Sequence, residues 1–439
     1  MPNEASARSR MIPVVTADEA MDHVRSGDRI YLHEAAMAPI ELMEALVRRA
    51  PDLRDVVTVS IHTEGPAPHV APGLEGHIRH NALFVGSNVR QAVNDGRADY
   101  TPVFLSDIPA LFAGHDLPLD IAFVQVSPPD HHGFCRLGVS VAVARAAVDH
   151  ARIVIGLINP RVPLTLGNSA VHISRFTALV ETNRSLPTLT PGPISEVSGR
   201  IGEHVASLIP NRATLQLGIG AIPDAVLSCL SQHEDLGIHT EMFSDGLLAL
   251  AEQGVITNRY KRTWRGRVVT SFALGSQRLY DFIDGNPFVE FHSSDIVNDT
   301  REIRRNDNMI AINSALEIDL TGQVVADSIG EYIYSGIGGQ MDFMRGARLA
   351  PGGKAIISLP STAKNGTVSR IVPTVKVGSG IVTTRGHVEY VATEYGVVDL
   401  AGQSLRQRAE LLISIAHPDF RPDLETAARA RHYSVPTPA

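Results

Sequence analysis

Two glutamates close the same phrase in this chain: Ile-His-Thr-Glu occurs at residues 61–64 and again at 238–241. A carboxylate at the carboxyl end of a parallel strand lies where open α/β sheets place their ligands. It can serve there as a proton shuttle or as a covalent nucleophile. Glu241, flanked by Ile238 and Met242, is the more poorly solvated of the two and so the more basic and nucleophilic. Glu64 runs into Gly-Pro-Ala-Pro, a looser setting. Most glutamates in such places only bond to neighbouring backbone, so the surrounding sequence has to decide.

Glycine turns are the second feature. "LQLGIGAIPDAV" puts Gly218 and Gly220 between a strand and a helix start, and "SGIGGQMDF" puts Gly336, Gly338 and Gly339 before another helix. Bare backbone N–H groups at a helix N-terminus suit an anion or a developing oxyanion. The first half carries "EAAMAP" and "LGVSV" in these places. A turn needed only for its shape would keep glycine in both halves, so the asymmetry favours a functional reading. Gly218-Ile219-Gly220 lacks the third glycine of a dinucleotide fingerprint, which argues against a nicotinamide enzyme. "NMIAINSALEIDLTGQVV" reads as a hairpin turning at Leu320–Gly322, with the Asn313 amide in its first strand, and Glu394 follows another strand in "VEYVATEYG". Single polar residues of this kind are more often local hydrogen-bonders than catalysts.

The elements that must carry these groups repeat as well. "RIYLHEAAMAPIELMEALVRRAPDL" and "ATLQLGIGAIPDAVLSCLSQHEDL" each read as strand, small-residue turn, proline, a helix of about three turns, Asp-Leu and a new strand. Proline suits a first helical turn because its missing N–H has no helical partner there. Each copy is a βαβ unit with parallel strands and a right-handed crossover. Further on, "RLGVSVAVARAAVDHARIVIGLINP" parallels "YSGIGGQMDFMRGARLAPGGKAIISLP". The expected architecture is two related open-sheet α/β domains, residues 1–190 and 191–439, joined through the Pro/Gly/Ser-rich segment 187–199.

Composition excludes several classes. With 439 residues, 44% of them hydrophobic, the chain can build two substantial cores. No apolar run approaches the ~18 to 20 residues of a membrane span, and the start "MPNEASARSRMIPVV" lacks a secretory core, so a cytoplasmic protein is expected. Cys135 and Cys229 suggest no disulfide framework. His131 and His132 in "DHHG" are adjacent and read as a hairpin turn rather than a metal site, so no metal is expected. A net charge of −8, with four lysines among 39 basic residues, argues against nucleic acid as partner.

Taken in order, "GIGAIPDAV", "LGIHTEMFSDG", "INSALEIDLTGQV", "SGIGGQMDF", "VATEYGVVDLAG" and "AHPDFR" resemble the acetyl-CoA hydrolase/transferase family of class I CoA-transferases, its 4-hydroxybutyrate or butyrate:acetate branch above all. The resemblance runs from about residue 12 to 425. It implies paired α/β domains related to ribose-phosphate isomerase, and ping-pong transfer of CoA between carboxylic acids through a glutamyl-CoA thioester. Glu241 falls on the family's glutamate, Gly338 and Gly339 on its backbone donors, and Asn313 and Glu394 on an amide and a second acid of the site. Gly218, Ile219, Gly220, Ala221 and Ile222 fall on the CoA-contacting loop, with Gln216 beside the acyl pocket. Where some relatives carry a lysine this chain has Pro360, and Lys364 is taken instead to hold CoA phosphates, with Gly339 also against CoA. The resemblance further implies acyl-CoA as substrate rather than a resident cofactor, short-chain carboxylates as partners, no membrane or nucleic acid, and a homo-oligomer, dimer or tetramer. A thioesterase using the same glutamate, a sugar-phosphate isomerase and a non-enzymatic acyl-CoA sensor are the alternatives; no basic helix-turn-helix is present to support the last.

Overall fold

The computed structural model describes residues 12–114, 116–190 and 192–433; residues 1–11, which begin the segment read for a leader, and Pro191 of the join lie outside them. The first half supplies seven parallel strands: β1 (Arg29–Leu32), β2 (Val56–Ser60), β3 (Ile78–Ala82), β4 (Asp99–Tyr100), β5 (Ile121–Val126), β6 (Ile153–Ile158) and β7 (Ala178–Glu181). They lie in the order β7-β6-β5-β1-β2-β3-β4. The second half supplies β8 (Thr214–Leu217), β9 (Gly237–Ile238), β10 (Met309–Ser314), β11 (Lys354–Ser358), β12 (Tyr390–Thr393) and β13 (Gly396–Asp399), in the order β9-β8-β10-β11-β12-β13. Only β13 is antiparallel. In both sheets the strand before the first helix pairs with the strand after it on one side: β1 with β2, and β8 with β9. On the other side β1 meets β5 and β8 meets β10, so the internal repeat is a repeat of topology.

Buried parallel strands need apolar residues on both faces. In β5, Ile121 and Phe123 pack outward with Ile30, Leu32 and Leu42, whereas Ala122, Val124 and Val126 face a core shared with the second half. The period of two divides one strand between two cores. Ile310, Ile312 and Ile356 of the second sheet join that same shared core, and Ile357 and Val391 pack on the far side with Leu412. The halves are therefore fused along one apolar layer.

Three readings are corrected here. Helix α1 (Ile40–Arg49) has the expected length, but α2 (Ala221–Ser228) is only eight residues long. The join ends at Ser195, whose hydroxyl accepts from the Ser198 N–H at 3.1 Å and caps a helix over Glu196–Ala206. Residues 196–199 are thus helical rather than linker. The hairpin does turn at Leu320–Gly322, but its strands are Glu317–Asp319 and Val324–Val325; Asn313 belongs to the parallel strand β10 before it. His131 and His132 lie in a turn closed by Asp130, as expected.

The halves also exchange edges. Leu166–Gly167 of the first half pairs with Val289–Phe291 of the second, and Leu105 N–H donates to Gly338 C=O at 3.0 Å.

Candidate active site

The strand expected to run through "LGIHTEM" stops at Ile238 and resumes at Met242–Phe243. Glu241 lies in the gap. Its carbonyl oxygen accepts from Ser271 N–H and Phe272 N–H, both at 3.0 Å, and from Thr270 Oγ1 at 3.1 Å. This grip on the backbone turns the Glu241 side chain out of the sheet and toward helix α3 (Gln340–Leu349).

Gly339 is the cap residue of α3, and a Cβ added there would fall on Glu241 Oε2 and Asn298 Nδ2. Only glycine leaves room for the carboxylate against the helix end. Gly338, before it, has φ +58°, a conformation glycine adopts without strain. Asn298 Nδ2 donates to Glu241 Oε2 at 3.1 Å and to Asp342 Oδ2 at 3.2 Å. Asp342, in the first turn of α3, accepts from Ser106 Oγ at 2.9 Å and Ser106 N–H at 3.3 Å.

Burial above all, helped by the charge of Asp342, pushes the Glu241 carboxyl up to about 7; the Asn298 amide and the Gly339 backbone pull the other way. Asp342 is raised to about 6, again chiefly by burial. A carboxylate so poorly solvated is a stronger nucleophile when ionised, and one that half ionises near neutrality.

Glu241 lines a cleft of about 600 Å³ whose walls come from both halves. Ile61, Leu83, Phe84, Leu105 and Ile108 of the first half face Leu217, Met242, Phe272 and Leu274 of the second. Both copies of the Ile-His-Thr-Glu phrase reach it, since Glu64 and His62 line the same cleft. Burial pushes His62 down to about 4, so the imidazole is neutral at physiological pH, and it packs edge-on to Phe84 with ring centroids 5.7 Å apart. Burial raises Glu64 too.

Of the residues singled out from sequence, Gln216, Gly218, Ile219, Asn313, Gly338 and Gly339 line the cleft with Glu241. Asn313 does not touch Glu241: its Nδ2 donates to Gln216 Oε1 at 3.0 Å, and the amide on Glu241 is Asn298. Gly220 and Ala221 open onto a smaller neighbouring hollow with Ile219, Asp224 and Asp245, while Ile222 is buried. Glu394 is not in the cleft wall. Its carboxylate accepts from Ser361 N–H at 2.8 Å and from Ser361 Oγ, holding the chain after β11. Lys364 is exposed on the turn between Thr362–Ala363 and Val368–Ser369, also outside the cleft wall. A cation nearer the rim is Arg90, stacked 4.0 Å over the ring of the cleft residue Tyr334.

Sequence reasoning missed Asn298, Asp342 and Ser106. They sit 57, 101 and 135 residues from Glu241 (241 to 298, 342 and 106); Asp342 stood inside the quoted "SGIGGQMDF" without being singled out, and no spacing links Asn298 or Ser106 to it. Among the described residues no group of three or more His, Cys, Asp or Glu is arranged to hold a metal, and no helix is long and apolar enough to cross a membrane.

The profile of the acetyl-CoA hydrolase/transferase N-terminal domain matches residues 8–190, and that of the C-terminal domain matches residues 275–428. The chain belongs to this family. A succinyl-CoA:acetate/propanoyl-CoA:succinate CoA transferase of Fasciola hepatica is 47% identical, over 96% of this chain and 88% of its own. A 4-hydroxybutyrate coenzyme A transferase of Clostridium kluyveri is 46% identical, over 95% of this chain and 97% of its own. The crystal structure of RipA from Yersinia pestis superposes with a TM-score of 0.89 at 34% identity, covering 96% of this chain and 98% of that one. The family's paired α/β fold is thus the fold described above.

Proposed function

We infer that this protein is a CoA-transferase that moves CoA between a short-chain acyl-CoA and a carboxylic acid of the acetate, butyrate or 4-hydroxybutyrate class, with Glu241 as covalent carrier. The observation that carries this reading is the Glu241 carboxylate itself: largely buried, held at one oxygen against the α3 end, and facing a mostly apolar cleft. An ionised Glu241 oxygen attacks the thioester carbonyl, and CoA leaves as thiolate. The resulting mixed anhydride is attacked by that thiolate at the glutamyl carbon, releasing the first acid and leaving a glutamyl-CoA thioester. An incoming carboxylate reverses the steps. The thioester energy survives only where water is kept out, which the Phe84, Phe272 and Met242 wall favours.

In this reading the backbone of the 336–339 turn meets charge developing on the acyl carbonyl, and the Gln216–Asn313 amide pair receives the acyl group. The loop from Gly218 to Ile222 lies along the CoA chain, with Arg90 and Lys364 as the cations for its phosphates. Acyl-CoA is substrate and no resident cofactor is called for. We take the two homologous units to divide near residue 190, and the working form to be a cytoplasmic homo-oligomer.

The test is a mass spectrum after incubation with acyl-CoA in the absence of acceptor. A CoA adduct on the peptide containing Glu241, lost on borohydride treatment together with activity, supports the reading. No adduct with any short-chain acyl-CoA sinks it. CoA release at equal rates with and without a carboxylate acceptor makes the protein a hydrolase instead.

A further inference from the structure

The two copies of Ile-His-Thr-Glu differ in what borders the strand before them. In the first half β2 is zipped to a neighbouring strand, β3, along Val56–Ser60. In the second half β9 is the edge strand of its sheet. Its inner side pairs with β8, which leaves the N–H and C=O of Ile238 facing outward. Two side chains stand in for a further strand. Asn258 Oδ1 accepts from Ile238 N–H at 2.8 Å, and Lys261 Nζ donates to Ile238 C=O at 2.6 Å.

Lys261 also reaches a second strand. The same nitrogen donates to Arg267 C=O at 2.7 Å, just before the strand Val268–Thr270. From His239 the chain swings toward that strand: His239 bridges to Val269, and Thr240 N–H donates to Val269 C=O at 3.0 Å. The Lys261 amine therefore sits at the root of a fork. One prong runs to Glu241, and the other runs to Thr270, Ser271 and Phe272, whose donors hold the Glu241 carbonyl.

The lysine is buried, only 3% exposed. The carboxylate that acts on it, Glu290, is taken up by Arg267 at 3.5 Å and by His292 at 3.1 Å. Burial pushes the amine down to about 7. Ammonium and amine alike keep an N–H for each carbonyl. The stem crosses Gly237, where an added Cβ would lie 2.7 Å from Lys261 Cγ. An apolar side chain could fill this space without the cost of burying an ionisable group. It could not supply donors to two backbone carbonyls on separate strands.

We propose that Lys261 is a positioning residue of the transfer reaction: it staples the two strands at the fork and so fixes the backbone that aims Glu241 into the cleft. The inference rests on the reading of Glu241 as covalent carrier and adds to it a residue outside the cleft wall. Without the staple the two prongs can part, and the carboxylate drifts from its attacking position. A displacement of about 1 Å, caused far from the chemistry, can cost roughly 10²-fold in rate.

Lys261→Met keeps the stem and much of the volume and removes the donors. Its kcat, and its single-turnover rate of CoA adduct formation on Glu241, should fall roughly 10²-fold. KM for acyl-CoA should stay close to wild type. The loss should persist far below the melting transition, where a merely stabilising residue makes no difference to rate. Gly237→Ala keeps the amine but pushes its stem aside. It should slow adduct formation in the same sense by a smaller factor, and it carries the test if Lys261→Met does not fold. Wild-type rates in Lys261→Met, or in Gly237→Ala where that variant carries the test, overturn the inference. So does a loss confined to temperatures near melting, or one that appears in KM alone. Wild-type protein that forms no adduct is a separate result and overturns the covalent reading itself.

Discussion

Two helix ends in this molecule each hold one buried carboxylate, and only one of them faces a ligand cleft. Glu241 meets the cap of α3 at Gly339; Glu34 meets the start of the helix Ala144–His150, where the Val143 N–H donates to its Oε1 at 3.3 Å and Ser140 Oγ at 2.9 Å. Burial is the leading cause in both, and pushes both up to about 7. Yet Glu34 is fully buried, with His33 beside it bonded through Nε2 to Ser140 C=O at 2.8 Å. Its second oxygen has no partner among the described residues. A raised carboxyl at a helix end is therefore not in itself a sign of catalysis. What separates the two is access for a substrate and how the carboxylate meets the cap: Glu241 lies where a Cβ at Gly339 would be, whereas Glu34 is held by the N–H of a cap that carries a valine side chain.

The comparison breaks most decisively at the carboxylates themselves. Glu241→Gln should reduce transfer to background, because a neutral amide cannot form the anhydride. Glu34→Gln, a change of similar shape outside the cleft wall, should leave turnover close to wild type, and Glu64→Gln should keep the covalent adduct. A steady-state assay with adduct detection checks all three. A dead Glu64→Gln beside an active Glu241→Gln would reverse the assignment.

Next come the cap residues. Gly339→Val places side-chain atoms where the carboxylate and the Asn298 amide now lie. It should lower kcat roughly 10²- to 10³-fold, as loss of an oriented donor does, and weaken CoA binding far less. Val143→Gly, at the other helix end, should leave kcat unchanged. Equal kinetics for both would make the 336–339 turn merely structural.

Acidity sharpens the contrast further. The attacking form of Glu241 is ionised, and its pKa is raised to about 7. Thus kcat/KM should rise with pH to a plateau above that value and drop about tenfold per unit below it. The charge of Asp342 is one cause of the raise, so Asp342→Asn should move this limb to lower pH. Glu34→Gln should not move it.

The smallest effect is on stability. Glu34 is raised from 4.5 to about 7, so the folded state keeps a proton that the unfolded chain releases. Its contribution to stability is fully present below pH 4.5, falls as pH rises toward about 7, and is gone above it. Glu34→Gln should therefore flatten the decline in Tm between about pH 4.5 and about pH 7, worth roughly 1 to 3 kcal/mol. Wild-type and variant melts with parallel pH dependence would show that Glu34 titrates normally.

The repeated βαβ units, the glycine turns and the Ile-His-Thr-Glu phrase are local patterns, and local pattern is what a chain displays along its length. The repeated strand–turn–proline–helix units and glycine turns confined to the second half sufficed for the two-domain α/β architecture and for Glu241 as candidate. Glu34 stood inside the quoted "EAAMAP" contrast, yet its burial has no sequence mark. Glu394 and Lys364 lay in plausible motifs, but Ser361 holds one and the other is exposed on a turn outside the cleft wall.

Residue types and their periods thus determined, from sequence alone, the main strands and helices and which carboxylate follows a strand of the second sheet. Tertiary structure alone decided which groups meet that carboxylate. Ser106, Asp342 and Asn298 converge on Glu241 through hydrogen bonds of 2.9 to 3.3 Å between residues 44 to 236 positions apart in the chain. Such bonds depend on how two sheets share one core, and no short-range spacing records that.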